Sequence, residues 1–110
     1  MSLFFNSELK TKKEEILRYV AILNDDIRKI SYLLDTGIDS SVIKQMNFLM
    51  NPMMDNLERI KAIIDSMSES QVAQISVPWI DGKYVSIAFW WICYRESISL
   101  FEENINNYRR

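Results

Sequence analysis

Apolar residues recur at helical spacing over the first third of the chain. Between residues 7 and 35 they follow alternating steps of three and four, and only Lys13 interrupts the series. This spacing places side chains along one face of a helix, and further apolar positions beside the stripe favour a member of a bundle. The pattern therefore predicts a long first helix over about residues 7–35, ended by Gly37. The stripe comprises Leu9, Ile16, Val20, Leu23, Ile27, Ile30 and Leu34.

A second stretch of helical periodicity covers residues 42–67 and contains Pro52. Proline has no backbone N–H, so Pro52 either opens a new helix in its first turn or kinks one long helix. We favour a break, with a helix from about Pro52 to Met67 and a shorter one before it. Ser68 and Gln71 then match a capping box, which predicts a further short helix.

Two interpretations compete for the C-terminal third. The Asp81-Gly82 pair lies between apolar segments, as in a tight hairpin turn, and indicates a possible short hairpin at 77–86. A longer pattern has unbroken steps of three and four, and it predicts a last helix over about 83–108. We favour the helix, with Asp81-Gly82 in the loop before it. The stripe of this helix comprises Tyr84, Ile87, Trp91, Tyr94, Ile98, Phe101, Ile105 and Tyr108.

Together these elements predict an all-α fold. We expect an elongated antiparallel bundle of about four to five helices, with long first and last helices and shorter, broken middle helices. The 110 residues form a single helical domain, 1–110, in which residues 1–6 are an apolar N-terminal arm. Helices of this length span about 40 Å at 1.5 Å per residue, so the bundle should be long and narrow.

Composition removes most kinds of chemistry. The chain has no histidine, one cysteine and two glycines, which excludes histidine-assisted nucleophiles, histidine-based zinc sites and Gly-rich phosphate loops. The acidic doublets lie among basic residues on polar helix faces, where a solvated surface is expected. The sequence thus predicts no catalytic residues, metal or cofactor, and a protein that is not an enzyme.

Charge and hydropathy narrow the range of partners. A net charge of −2 provides no field for a phosphate backbone, so no nucleic acid is expected. The apolar run between Lys83 and Arg95 is shorter than the ~20 residues that span a membrane. The N-terminus lacks the features of a secretory signal, and a cytoplasmic location is expected.

The last predicted helix is apolar on all sides over residues 84–94. Such a helix must be surrounded, either by other parts of this chain or by a second chain, and both alternatives stay open. Aromatic residues in and after the 77–86 segment are the best candidates for contact with a partner. The candidate partner-binding residues are Trp79, Ile80, Asp81, Tyr84, Phe89 and Trp90.

These observations favour a non-catalytic protein-binding module. A small acidic helical protein of this kind would regulate or neutralise a protein partner, as inhibitors and immunity proteins do. One alternative is a structural subunit that homodimerises through the aromatic half of its last helix. Another is a carrier of a small apolar ligand held between helices.

Overall fold

The computed structural model describes the backbone of residues 3–109 and the side chains of residues 7–108. Its dimensions are 57 × 24 × 18 Å, and the predicted elongated all-α bundle is confirmed. A small antiparallel hairpin precedes the last helix. The elements are α1 (Leu3–Asp35), α2 (Ser40–Asp65), α3 (Glu69–Val72), β1 (Ser76–Pro78), β2 (Tyr84–Ser86) and α4 (Ile87–Arg109).

The first helix is longer than predicted at its start and ends where predicted. It begins at Leu3, although the side chains of residues 1–6, predicted to form an apolar arm, lie outside the described part. At its end the backbone N–H of Gly37 donates to the carbonyl of Leu34 at 3.2 Å. Gly37 has φ of 107°, a left-handed conformation that glycine adopts without steric cost and that stops a helix.

The middle of the chain corrects the predicted break at Pro52. One continuous helix, α2, runs from Ser40 to Asp65 with Pro52 inside it, and the carboxylate of Asp39 caps it by accepting from the Val42 N–H. Pro52 is exposed, whereas Met50 and Met53 on either side are buried. Proline cannot donate a backbone hydrogen bond to the Phe48 carbonyl. This bond is lost on the solvent side of the helix, where water can donate to that carbonyl instead.

One face each of α1, α2 and α4 forms the core, together with the segment that leads into the hairpin. Fully burying one large aliphatic or aromatic side chain contributes about 1.5–3 kcal/mol. The predicted stripe of α1 is buried from Ile16 to Ile30, as is most of the predicted stripe of α4. The largest fully buried side chains include Trp90, Tyr94, Ile16, Leu23, Ile27, Met46, Met53 and Ile87.

The possible hairpin at 77–86 is present, and its strands are short. Val77 pairs with Val85 and Pro78 with Tyr84. The connection closes with a bond from the Gly82 N–H to the Trp79 carbonyl, 2.9 Å, and Gly82 has φ of 85°. The Trp79 N–H also donates to the Lys83 carbonyl at 2.9 Å, so three residues lie inside this closing pair, and a turn followed by a left-handed glycine is common in such hairpins. The last helix consequently begins at Ile87 and not near residue 83, because β2 takes up the residues between them.

Replacing Pro52 with alanine should stabilise the protein. The substitution restores an amide N–H that can donate to the Phe48 carbonyl, and proline inside a helix costs about 3 kcal/mol relative to alanine, partly offset by the stiffer unfolded chain. We expect the free energy of unfolding to rise by about 1–2 kcal/mol in urea titrations. A lower free energy of unfolding for Pro52→Ala than for the wild type would contradict this expectation.

Candidate functional site

A buried amide connects three separate parts of the chain. The side-chain NH₂ of Asn24 on α1 donates to the carbonyl of Pro78 at 2.8 Å, and the indole N–H of Trp90 on α4 donates to the side-chain oxygen of Asn24 at 3.0 Å. Asn24 is only 2% exposed. Because a buried donor or acceptor without a partner costs about 1–3 kcal/mol, these bonds fix α1, the hairpin and α4 against one another.

The tip of the hairpin is held to α1 by a second polar contact. The guanidinium of Arg28 donates to the carbonyl of Ile80 at 2.9 Å and to the carboxylate of Asp25 at 2.9 Å. Within the tip, the Asp81 carboxylate accepts from the Lys83 backbone N–H at 2.9 Å. Asp81 therefore stabilises the turn itself, and the tip lies on the bundle surface with its backbone tied to α1.

The start of α4 is fixed in position as well. The hydroxyl of Ser86 accepts a bond from the Phe89 N–H at 3.2 Å, which is the geometry of an N-cap. The Ile87 N–H donates to the Ile75 carbonyl at 3.1 Å. These two bonds set the rotation of the first turn of α4 relative to the hairpin.

The structure removes one residue from the predicted partner-binding set. Trp90 is fully buried and its ring stacks on Tyr94 with centroids 4.8 Å apart, so it contributes to the core and not to a surface. The indole N–H of Trp90 donates to Asn24. Trp91, which the sequence pattern predicted to face the core, is half-exposed instead. Trp90 was wrongly predicted as a partner contact for this reason.

The other five predicted residues divide by exposure. Trp79 and Ile80 are half-buried against the bundle, and Asp81 is exposed in the turn. Tyr84 is 69% exposed and Phe89 is 52% exposed. Tyr84 and Phe89 are thus the accessible large apolar residues of the set, and their contact with a partner stays a prediction.

A buried acid lies near the stacked aromatic pair. Burial raises the pKa of the Asp26 carboxyl, Lys29 opposes that shift, and Asp25 adds to it. Burial also raises the pKa of the Tyr94 phenol, and the negative charge of Asp26 raises it further. Within the described residues the Tyr94 hydroxyl has no hydrogen-bond partner. The ionised forms of both the Asp26 carboxyl and the Tyr94 phenol are therefore disfavoured in this region.

The outer side of α4 carries an exposed apolar line, which we call the α4 ridge. Phe89, Ile92 and Leu100 are 52%, 58% and 59% exposed, and Glu96 and Glu103 are exposed on the same side. Residues three, seven, eleven and fourteen positions after Phe89 share one helix face. The opposite face of α4 already fills the core, so this helix is apolar on two sides.

A second exposed apolar surface lies between α1 and α2, and we call it the α1–α2 groove. It is an open depression of about 880 Å³ in which Tyr32 and Phe48 are 70% and 79% exposed. The half-buried Leu33 and Leu49 also line it. Arg28, Lys29, Lys44 and Asp25 border these apolar side chains. The border of the groove is thus basic overall, whereas the α4 ridge is acidic.

Sequence reasoning missed the groove and two of the three apolar residues of the ridge, although a signal was present. Tyr32 and Phe48 lie outside the apolar stripes of their helices. An aromatic residue on a polar helix face is a candidate for contact with another molecule. Ile92 and Leu100 carry the same signal on α4.

The described residues contain no cluster of three or more His, Cys, Asp or Glu that could hold a metal ion. None of the helices, over the same residues, has the length and apolar content to cross a membrane. In comparisons with known proteins, no family model, no curated protein and no solved structure matches the chain. The two exposed apolar surfaces therefore provide the basis for a functional proposal.

Replacing Asn24 with alanine should destabilise the fold strongly. The change removes the acceptor of the Trp90 indole and the donor to the Pro78 carbonyl, and we expect a loss of about 2–4 kcal/mol in unfolding free energy. Asn104→Ala is a matched control, because among the described residues the Asn104 amide donates only to the carbonyl of Leu100 in its own helix, and it should change stability by less than about 0.5 kcal/mol. Equal effects of the two variants would contradict the bridging role of Asn24.

Replacing Asp26 with asparagine should change how stability depends on pH. The raised pKa means that the folded state binds the proton more tightly than the unfolded chain does. The stability linked to this carboxyl is therefore complete below its ordinary pKa of about 3.9 and is lost as the pH rises through the raised value. Asp26→Asn should gain stability relative to the wild type as the pH rises from about 4 to 7.

Urea titrations at several pH values measure this difference, with Asp55→Asn as a control at an exposed position. The opposite result, in which the stability of the wild type rises relative to that of the Asp26→Asn variant as the pH rises, would mean that a neighbouring group stabilises the buried carboxylate.

Proposed function

We propose that this chain is a non-catalytic protein-binding module and that the α4 ridge is its binding element. The observation that carries the proposal is the second apolar face of α4, on which Phe89, Ile92 and Leu100 are each more than half exposed while the first face fills the core. Single exposed apolar residues are common on protein surfaces. A line of three on one helix face is the pattern by which helices dock into grooves.

The charges on the ridge indicate what kind of surface it fits. Glu96 and Glu103 accompany the apolar residues, and Arg95 lies beside them. A complementary partner presents an apolar groove bordered by Lys or Arg side chains, because opposite charges steer encounter and suppress wrong partners. The net charge of −2 adds to the same preference. Regulation or inhibition of a protein with such a groove is the role that we propose.

A homodimerising structural subunit is the second candidate, because Phe89 in the aromatic half of α4 belongs to the ridge and a second copy of the chain can cover it. A carrier of small apolar ligands is less well supported, because the α1–α2 groove is open to solvent. Tyr32 and Phe48 in the α1–α2 groove are mostly exposed, whereas ligand sites typically enclose more than about 70% of the ligand surface.

The proposal is tested by crosslinking followed by reconstitution. A photoreactive benzoylphenylalanine in place of Phe89 should attach covalently to the partner in cells, and mass spectrometry identifies it. Calorimetry with the purified partner should then show at least about tenfold weaker binding to Phe89→Ser/Ile92→Ser than to the wild type, since central apolar anchors dominate interface energies.

A matched double variant provides the control. Leu17→Ser/Ile22→Ser alters two exposed apolar residues of α1, outside the ridge, and should bind within about twofold of the wild type. Equal affinity of the partner for the wild type and the ridge variant would contradict the ridge as binding element.

A further inference from the structure

We propose that the partner of the α4 ridge is a second copy of this chain, which receives the ridge in its α1–α2 groove. The inference rests on the proposed function, because it assigns an occupant to the same ridge. The ridge points away from its own core, and the groove lies on two other helices. The two surfaces can therefore meet only between different copies.

The apolar parts of the two surfaces match in size and kind. From Phe89 to Leu100 the ridge extends about 16 Å, and the α1 side of the groove from Asp25 to Leu33 extends about 12 Å, at 1.5 Å per residue. The ridge offers three protruding side chains, and the groove offers the exposed rings of Tyr32 and Phe48. Docking would remove both sets from water, which is the main driving force for protein association.

The charges of the two surfaces are opposite. In the groove, the Arg28 guanidinium already pairs with Asp25 at 2.9 Å. Lys29 and Lys44 make no ion pair within the described part of the chain. The ridge supplies Glu96 and Glu103. Such pairs at the rim of an interface add little affinity but select the partner and its orientation.

The mode of assembly follows from the use of two different surfaces. A contact in which a ridge meets a groove is heterologous, so a pair of copies joined by one such contact retains one free ridge and one free groove. Successive additions give a ring or an open chain, and a closed pair forms only where a two-fold axis brings both contacts together. The ridge supplies five residues, fewer than the ~20–30 residues per partner of a stable complex, so association should be weak, with a dissociation constant of about 10–100 µM.

Charge reversal tests the pairing without altering the apolar side chains. Sedimentation of the wild type should show an average mass that rises between about 10 µM and 1 mM. Lys29→Glu/Lys44→Glu and Glu96→Lys/Glu103→Lys should each weaken self-association at least about tenfold, since like charges then face each other. The fourfold variant that carries all of these changes, and an equimolar mixture of the two double variants, should regain it.

Lys10→Glu/Arg59→Glu is the matched control for the lysine reversal, with the same change of net charge at exposed positions outside both surfaces, and it should associate like the wild type. Thermal melts followed by circular dichroism confirm that each variant is folded. A wild type that stays monomeric throughout, or one whose assembly is unchanged by either reversal, overturns this inference. Binding of a different protein to the ridge in the crosslinking experiment would then leave the proposed function standing, so the two failures are distinguishable.

Discussion

The structure depends on the need of one buried indole for a hydrogen-bond acceptor. Trp90 can be buried at low cost only because Asn24 accepts from its N–H, and Asn24 in turn donates to Pro78. Neighbouring side chains on a helix point about 100° apart, so the position of Trp90 determines the rotation of all of α4. With Trp90 turned into the core, this rotation places Phe89 and Ile92 on the solvent side of α4. The buried amide thus creates the α4 ridge.

The narrow shape of the bundle follows from the continuity of α2. Because Pro52 lies on the solvent side, α2 remains a single helix from Ser40 to Asp65 and pairs with α1 along much of its length. A molecule that is 57 Å long has a cross-section of only 24 × 18 Å. Each helix therefore has neighbours on one side and solvent on the other. In such a shape, apolar residues outside the core stripes, such as Phe48, can be covered only by another molecule.

Much of the fold follows from local pattern, and the departures have physical causes. The stripe of α1 and the end at Gly37 were predictable because both depend on neighbouring residues. The steps from Ile87 to Tyr94 are three and four in either order, so periodicity alone allows Trp90 or Trp91 in the core. The choice is made by Asn24, 66 residues away in sequence. The exposure of Phe89 on α4 depends on the same contact, and the groove depends on how α1 and α2 are placed side by side.

The carboxylates of the ridge distinguish between two ways in which copies could associate. If two α4 ridges packed against each other, Glu96 and Glu103 of one copy would approach the same residues of the other, and like charges in an interface cost several kcal/mol. In the α1–α2 groove the same carboxylates approach Lys29 and Lys44 instead. The charges therefore distinguish the two arrangements. They disfavour a symmetric dimer through α4 alone and favour the contact between ridge and groove.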